Sequence, residues 1–404
     1  MDTKVTKLKN NIEFAYKRNE NTPRVAFYLN FSLNNLSTQA GVYSLMVRLF
    51  MQGTKTRTAQ QLSEELDKYA IEFSAELKLD YVKFKFVCLN EDFEHAMDIF
   101  EDIIKNTTFD EFEKERTKLE GEIIAELDSP RAKVIDSYYK NIYAGHNYGF
   151  TNTVILENLK NIKKEDVIEA YREILNNSKK VSTFVGDLEF DKVESILTEK
   201  FGELPQSQDT LPDLKKPELN ESKEIEIVKK DLNQAHILKG WLVGTADSSD
   251  YPAIALLNII LGASGLSSRL FLELRDKKGL AYVVRSAYDI ARLSANFSIY
   301  IATEPKNIET SLKGFEEEIE KIKTNLVSEE ELKNAKNNLF GKWAFISETN
   351  SQQANWLAHY GIMGFGFDFH KNVVEKIKSV TPEDIKACAN KYFNDKFVLT
   401  VLKP

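Results

Sequence analysis

The sequence predicts an α+β protein built from two similar halves, and three observations carry that prediction. At 404 residues the chain is too long for one ordinary hydrophobic core. Its periodic pattern dissolves after Leu204 into PQSQDTLPDLKKPELNES, where three prolines sit among polar residues as in an interdomain linker. On each side of this stretch the same order of elements recurs. The expected organisation is an N-terminal domain over 1–205, a linker over 206–222 and a C-terminal domain over 223–404.

The first half opens with VTKLKNNIEFAYKRNENTPRVAFYLNFSL, whose alternating apolar positions and NENTP turn predict antiparallel strands. Helices are expected over TQAGVYSLMVRLFMQGT and TAQQLSEELDKYA, and period-two strands over IEFSAEL and YVKFKFVCL. FEHAMDIFEDIIKN and FDEFEKERTKLEGEIIAELDSP return to helical spacing. The second half repeats the plan. EIEIVKKDLNQAHILKGWLVG reads as strand, PAIALLNIILGAS as helix, and AYVVRSAYD and ANFSIYIAT as strands. Long helices then fill 308–325 and 328–349. One short match makes the duplication concrete. Ile162 to Val167 (IKKEDV) and Val380 to Ile385 (VTPEDI) each open a helix that leads into a strand, KKVSTFVGD and KFVLTVLKP. In the second copy Thr381 is the expected N-cap, with proline and acids behind it where the helix dipole favours them.

With 42% apolar and 29% charged residues the composition is that of a globular protein with ample core material. The net charge of −8 argues against a nucleic-acid binder, whose footprint is a basic face, and is compatible with basic substrates or partners, although the sum does not say where the charge sits. Cys88 and Cys388 lie 300 residues apart, which reads as two buried thiols and not a disulfide framework. The best apolar run, Pro252 to Leu266, is interrupted by Asn258 and falls short of the ~20 residues a bilayer requires. The start, Met1-Asp2-Thr3-Lys4, has no signal-peptide core. The compartment stays open: cytoplasmic as the sequence stands, periplasmic if an export signal has been removed.

Several segments resemble the pitrilysin/insulinase family of inverted zinc peptidases, which includes mitochondrial processing peptidase. Ala40-Gly41 through Met51-Gln52-Gly53-Thr54 is similar to the family's metal-site helix and its trailing K-G-T. Phe109 to Arg116, then Glu122-Ile123 and Asp128-Ser129-Pro130, are similar to its second metal-site helix. Gly145-His146-Asn147-Tyr148-Gly149 resembles its H-P-Y-G loop, with asparagine in place of proline. LGASGLSSRLFLELRDKKGLAYVVRSAYD resembles its C-terminal signature. The resemblance implies two homologous domains, each a curved antiparallel sheet backed by helices, facing each other across a cavity. Substrates in the family bind extended, adding a strand to a sheet edge.

The family's H-x-x-E-H places two imidazoles on one helix face to grip zinc, with a glutamate between them to activate water. The matching positions here are Ser44, Val47 and Arg48, and only Glu122 survives, as the third ligand. Arginine stays protonated and repels a divalent cation. The five histidines include no pair spaced i, i+3 or i, i+4, and neither H-x-H nor C-x-x-C occurs. This chain is therefore expected to hold no metal. Arg48 is expected to pair with Glu122, or with Glu126 one turn on, against the rival arrangement of an exposed Arg48 and a solvated Glu122. G-x-S-x-G, P-loop and G-x-G-x-x-G patterns are absent.

The second half keeps its signature. Judged singly, Arg275 reads as the partner of a surface salt bridge with Glu273 or Asp276, and Tyr282 as a half-buried strand aromatic. By resemblance to two-chain family members, both are substrate-binding residues that donate to the peptide backbone and to the developing oxyanion. The function expected is that of a non-catalytic subunit of a two-chain zinc metallopeptidase, inactive alone. Zinc would sit on a homologous partner chain, in a heterodimer or with a homodimer as the other arrangement, and the substrates would be extended peptides. The alternative is a structural or peptide-binding protein of the same fold with no role in proteolysis.

Overall fold

The computed structural model describes residues 3–34 and 38–404; Met1 and Asp2 of the polar start lie outside the described residues. In chain order the first half gives β1 (Lys4–Lys7), β2 (Glu13–Arg18), β3 (Arg24–Ser32), α1 (Val42–Leu49), α2 (Ala59–Lys68), β4 (Glu72–Leu77) and β5 (Tyr81–Leu89). It continues through α3 (Phe93–Asn106), α4 (Phe112–Leu127), α5 (Pro130–Ile142), α6 (Asn152–Asn158), α7 (Lys164–Asn177), β6 (Lys180–Gly186) and α8 (Phe190–Phe201). The second half gives β7 (Lys223–Val228), β8 (Ala235–Val243), α9 (Tyr251–Asn258), β9 (Ala281–Ile290) and β10 (Ala295–Thr303). After these come α10 (Ile308–Thr324), α11 (Glu329–Phe345), α12 (Asn350–Met363), α13 (Phe369–Ser379), α14 (Pro382–Tyr392) and β11 (Val398–Lys403).

Two sheets result, one ordered β1-β2-β6-β3-β5-β4 and the other β7-β11-β8-β10-β9. Apart from the extra β1, strand order and direction match position for position. The β2–β6 pair and the β7–β11 pair are parallel, and every other pairing is antiparallel. The VTPEDI and IKKEDV segments open α14 and α7, which feed β11 and β6, the equivalent strands of the two sheets. Duplication is therefore written in topology as well as in sequence.

The NENTP segment does not close a hairpin. β6 inserts between β2 and β3, pairing Thr183 with Ala15 on one side and with Tyr28 on the other. Every residue of β6 is buried. A strand with no solvated face belongs in the middle of a sheet, and that outweighs the short β2–β3 connection. β6 arrives through α7, the crossover that a parallel neighbour requires.

The compact packing units are not contiguous stretches of chain. One comprises residues up to Glu122, 155–214 and 345–369; the other comprises 123–154, 215–344 and 370–404. Chain order and packing thus divide the molecule differently, with a helix from each half completing the unit of the other. In the first unit α12 lies on β3 and β6. Ala354 and Ala358 are fully buried against Ala26, Tyr28, Val87 and Val185, their small side chains letting helix and sheet approach closely. Thr183 Oγ1 donates to the Ala354 carbonyl at 2.9 Å, and Tyr28 and Ser351 share a hydroxyl hydrogen bond at 2.8 Å. A Thr349/Gln352 capping box starts the helix and Gly364, at φ 81°, ends it.

In the second unit α5 lies on β8 and β11, starting at the Ser129 N-cap with Pro130 behind it. Tyr138 is fully buried and donates to Asn296 Oδ1 at 3.2 Å, while Asn296 Nδ2 donates to Tyr143 Oη at 3.1 Å. A Cβ on Gly240 would meet the Tyr138 hydroxyl at 2.1 Å, so only glycine lets α5 seat here. Cys88 and Cys388 are free and buried, and burial pushes both thiols up to about 12.

Candidate functional site

α1 begins at Gly41, whose φ of 98° and closeness to Ile162 admit no side chain. Val42, Leu45, Met46 and Leu49 turn into the core. That leaves Ser44, Val47 and Arg48, spaced i, i+3 and i+4, half-buried on the opposite face. α4 brings Glu115 and Glu122, seven residues and two turns apart, to meet them.

Arg48 forks onto Glu122 with Nη1–Oε2 and Nη2–Oε1 both at 2.8 Å. Its Nε donates to Glu115 Oε2 at 3.2 Å, and Lys118 Nζ reaches the other Glu115 oxygen at 2.6 Å. Glu126 is not the partner; its carboxylate accepts from Asn152 at 2.9 Å. The Arg48 bond holds the Glu122 carboxyl below its ordinary range, and Glu122 in turn raises the Arg48 guanidinium. The two carboxylates differ in setting: the Glu115 side chain is 4% exposed and that of Glu122 59%. Sequence reasoning missed Glu115, although its i, i+7 spacing from Glu122 on a helix was legible.

This donor set does not fit zinc. It offers a hydroxyl, an alkyl group and a cation, and both carboxylates already carry a guanidinium. Among the described residues no group of three or more His, Cys, Asp or Glu side chains is placed to hold a metal. The MQGT segment that trails the helix has a structural explanation. Thr54 and Thr56 each donate to Asp102 Oδ2 at 2.6 Å, Arg57 at 2.8 Å, and Asn106 to Oδ1 at 2.8 Å.

Arg275 and Tyr282 come together in the second unit. The Phe271–Lys277 segment is a π-helix, wider than the α-helical spacing predicted, and it closes through Gly279 at φ 61° with Leu280 N donating to Leu274 O at 2.9 Å. β9 starts at once. The Arg275 guanidinium therefore stacks on two rings, 4.6 Å from Phe271 and 4.7 Å from Tyr282. Glu273 pairs with Lys277 and not with Arg275. Tyr282 is 76% exposed, further out than a half-buried strand aromatic. Among the described residues neither side chain has a hydrogen-bond or ion-pair partner.

The chain is similar to known proteins over most of its length. The family model described as insulinase, peptidase family M16, matches residues 14–152, and the one described as peptidase M16 inactive domain matches 161–339. The chain belongs to peptidase family M16. M16 relatives include uncharacterized zinc proteases of Mycobacterium leprae (25% identical, 91% of this chain and 83% of that protein) and Bacillus subtilis (25%, 90% and 88%). A third, from Rickettsia felis, is 27% identical over 91% of this chain and 89% of its own. The fold is that of solved structures from Pseudomonas fluorescens, a peptidase M16 inactive domain, and from Helicobacter pylori, a protease. Their TM-scores are 0.92 and 0.91, each at 20% identity, covering 100% of this chain and 98% and 99% of theirs. M16 membership, together with the Arg48 ion pair on the α1 face, is consistent with a non-catalytic role. No helix among the described residues is long and apolar enough to cross a membrane.

Proposed function

We propose that this chain is the non-catalytic subunit of a two-chain zinc metallopeptidase, acting with a homologous M16 chain that carries the zinc. The observation that carries the reading is the contrast between its two inherited sites. The metal-helix face is closed by Arg48 on Glu115 and Glu122. Tyr282 is exposed and Arg275 half-buried, both without hydrogen-bond partners among the described residues, held 4.7 Å apart across a glycine turn. Donors left open on an ordered scaffold suit a ligand that arrives from outside. In this reading Arg275 and the Tyr282 hydroxyl donate to the extended substrate's backbone and to the oxyanion that develops at the scissile carbonyl.

The test is to assemble the chain with a zinc-bearing M16 homologue from the same cell and assay peptide cleavage. Tyr282→Phe and Arg275→Ala are each expected to lower kcat by on the order of 10²–10³, the usual loss for one oxyanion donor, without releasing zinc from the partner. Unchanged cleavage in both variants overturns the proposal.

A further inference from the structure

Beyond Arg275 and Tyr282, the second unit holds a pocket of about 350 Å³ on the α5 side of its sheet. Its origin is a packing limit. α5 seats on β8 and β11, fixed by Tyr138 over Gly240, and leaves the β10 and β9 end of that face uncovered. The floor is small: Ala287 on β9 lies directly opposite Ser298 on β10. One wall is the α5 ridge of Ile135 and Tyr139, with Arg131 one turn before Ile135 on the same helix face. The floor continues along β9, where Arg285, Ala287 and Asp289 share one face at period two.

The ends differ in chemistry. At one end the Arg131 and Arg285 guanidiniums lie 5.8 and 5.9 Å from the Tyr300 ring centre. That ring is 5% exposed, and its hydroxyl is occupied by His236 Nδ1 at 2.7 Å. Burial lowers His236, and the Arg131 charge lowers it further, so the imidazole adds no positive charge. At the other end Tyr139 donates to Asp289 Oδ2 at 2.6 Å. Asp289 stands four residues along the strand from Arg285, about 13 Å at the usual rise, too far to neutralise it by contact. Both arginines are exposed, and among the described residues neither has an ion-pair partner.

We propose that this pocket binds a carboxylate carried by a peptide, either an acidic side chain or the C-terminal group. Two guanidiniums resting on an aromatic floor present planar N–H forks, the geometry that a carboxylate accepts in bidentate fashion. β9 is the outermost strand of its sheet, so extended backbone can add beside it while the carboxylate reaches inward. The remaining Asp289 oxygen is left to accept a backbone N–H of the same peptide. The overall charge of −8 makes this cationic end a local exception. The volume suits a few residues, at the small end of ligand pockets. The inference rests on the peptide-binding part of the proposed function but needs no partner chain and no zinc.

The test is calorimetric binding to the purified chain alone at low salt, with a short amidated Gly/Ser peptide carrying one Glu, its Gln counterpart, and the Gln peptide with a free C-terminal carboxylate. A carboxylate in at least one arm is expected to tighten binding about tenfold or more, and the arm that responds identifies its source. Arg285→Gln alone should reduce that preference and the Arg131→Gln/Arg285→Gln pair should abolish it, as should raised ionic strength. Equal binding of all three peptides overturns the pocket while leaving the subunit reading intact. So does a preference that survives the double variant in protein whose circular dichroism is unchanged. Absence of measurable binding by any peptide overturns it as well.

Discussion

Arg48, which the family resemblance aligns with a metal-ligand position, makes a structural contact instead. One guanidinium satisfies two carboxylates from one helix, and their exposures decide what each contact is worth. The Glu122 pair is bidentate but its carboxylate is 59% exposed, so solvent screening holds its contribution below about 1 kcal/mol. Glu115 is 4% exposed and depends on Arg48 and Lys118. Arg48→Ala is expected to destabilise the protein by about 1–3 kcal/mol, most of it from Glu115. Urea unfolding of a double-mutant cycle should return a larger coupling for Arg48 with Glu115 than with Glu122; the reverse order would sink this account. The Arg48–Glu122 pair was legible in the sequence because an arginine aligned with a ligand position faces the surviving glutamate. The spacing of Glu115 was legible too, but its burial was not, because burial of a charged side chain is a property of its neighbours.

At the scale of elements, the turn after α1 is held from a distance by α3. Burial alone would push the Asp102 carboxyl up, but donors from Thr54, Thr56, Asn106 and Arg57 hold it below the ordinary range. A depressed folded value means stability that is present above the unfolded pKa of about 3.9 and is lost as pH falls through the lower folded value. Asp102→Asn should therefore cost about 2–4 kcal/mol at neutral pH, and the urea midpoints of variant and native protein should converge below about pH 4. A constant gap across that range would show that charge is not what Asp102 supplies. The MQGT match located this turn in the sequence; its anchor, 48 residues on, came from packing. The element boundaries failed in a related way. The helix expected to run on to Thr54 stops at Leu49, and Phe271–Lys277 winds as a π-helix. Apolar spacing reports which face is buried, not how tightly the backbone coils.

For the whole molecule, the exchange of helices has a direct consequence. Each sheet takes a covering helix from the other half of the chain, α12 on β3 and β6, α5 on β8 and β11. Residues 1–214 produced alone would expose Ala26, Tyr28, Val87 and Val185, the surface that Ala354 and Ala358 now bury. That fragment is expected to aggregate or to lose cooperative unfolding, and to recover when the 345–369 segment is supplied in trans. A fragment that melts as sharply as the intact protein would show that the exchange carries no stability. The sequence by itself determined the α+β class, the duplication and the family, because periodicity, turn chemistry and motif identity are local. Tertiary structure alone decided that β6 separates β2 from β3, that each half lends a helix to the other, and that Arg131 and Arg285 converge on Tyr300. Those outcomes depend on which buried surfaces fit together across long stretches of chain, and no local spacing encodes that.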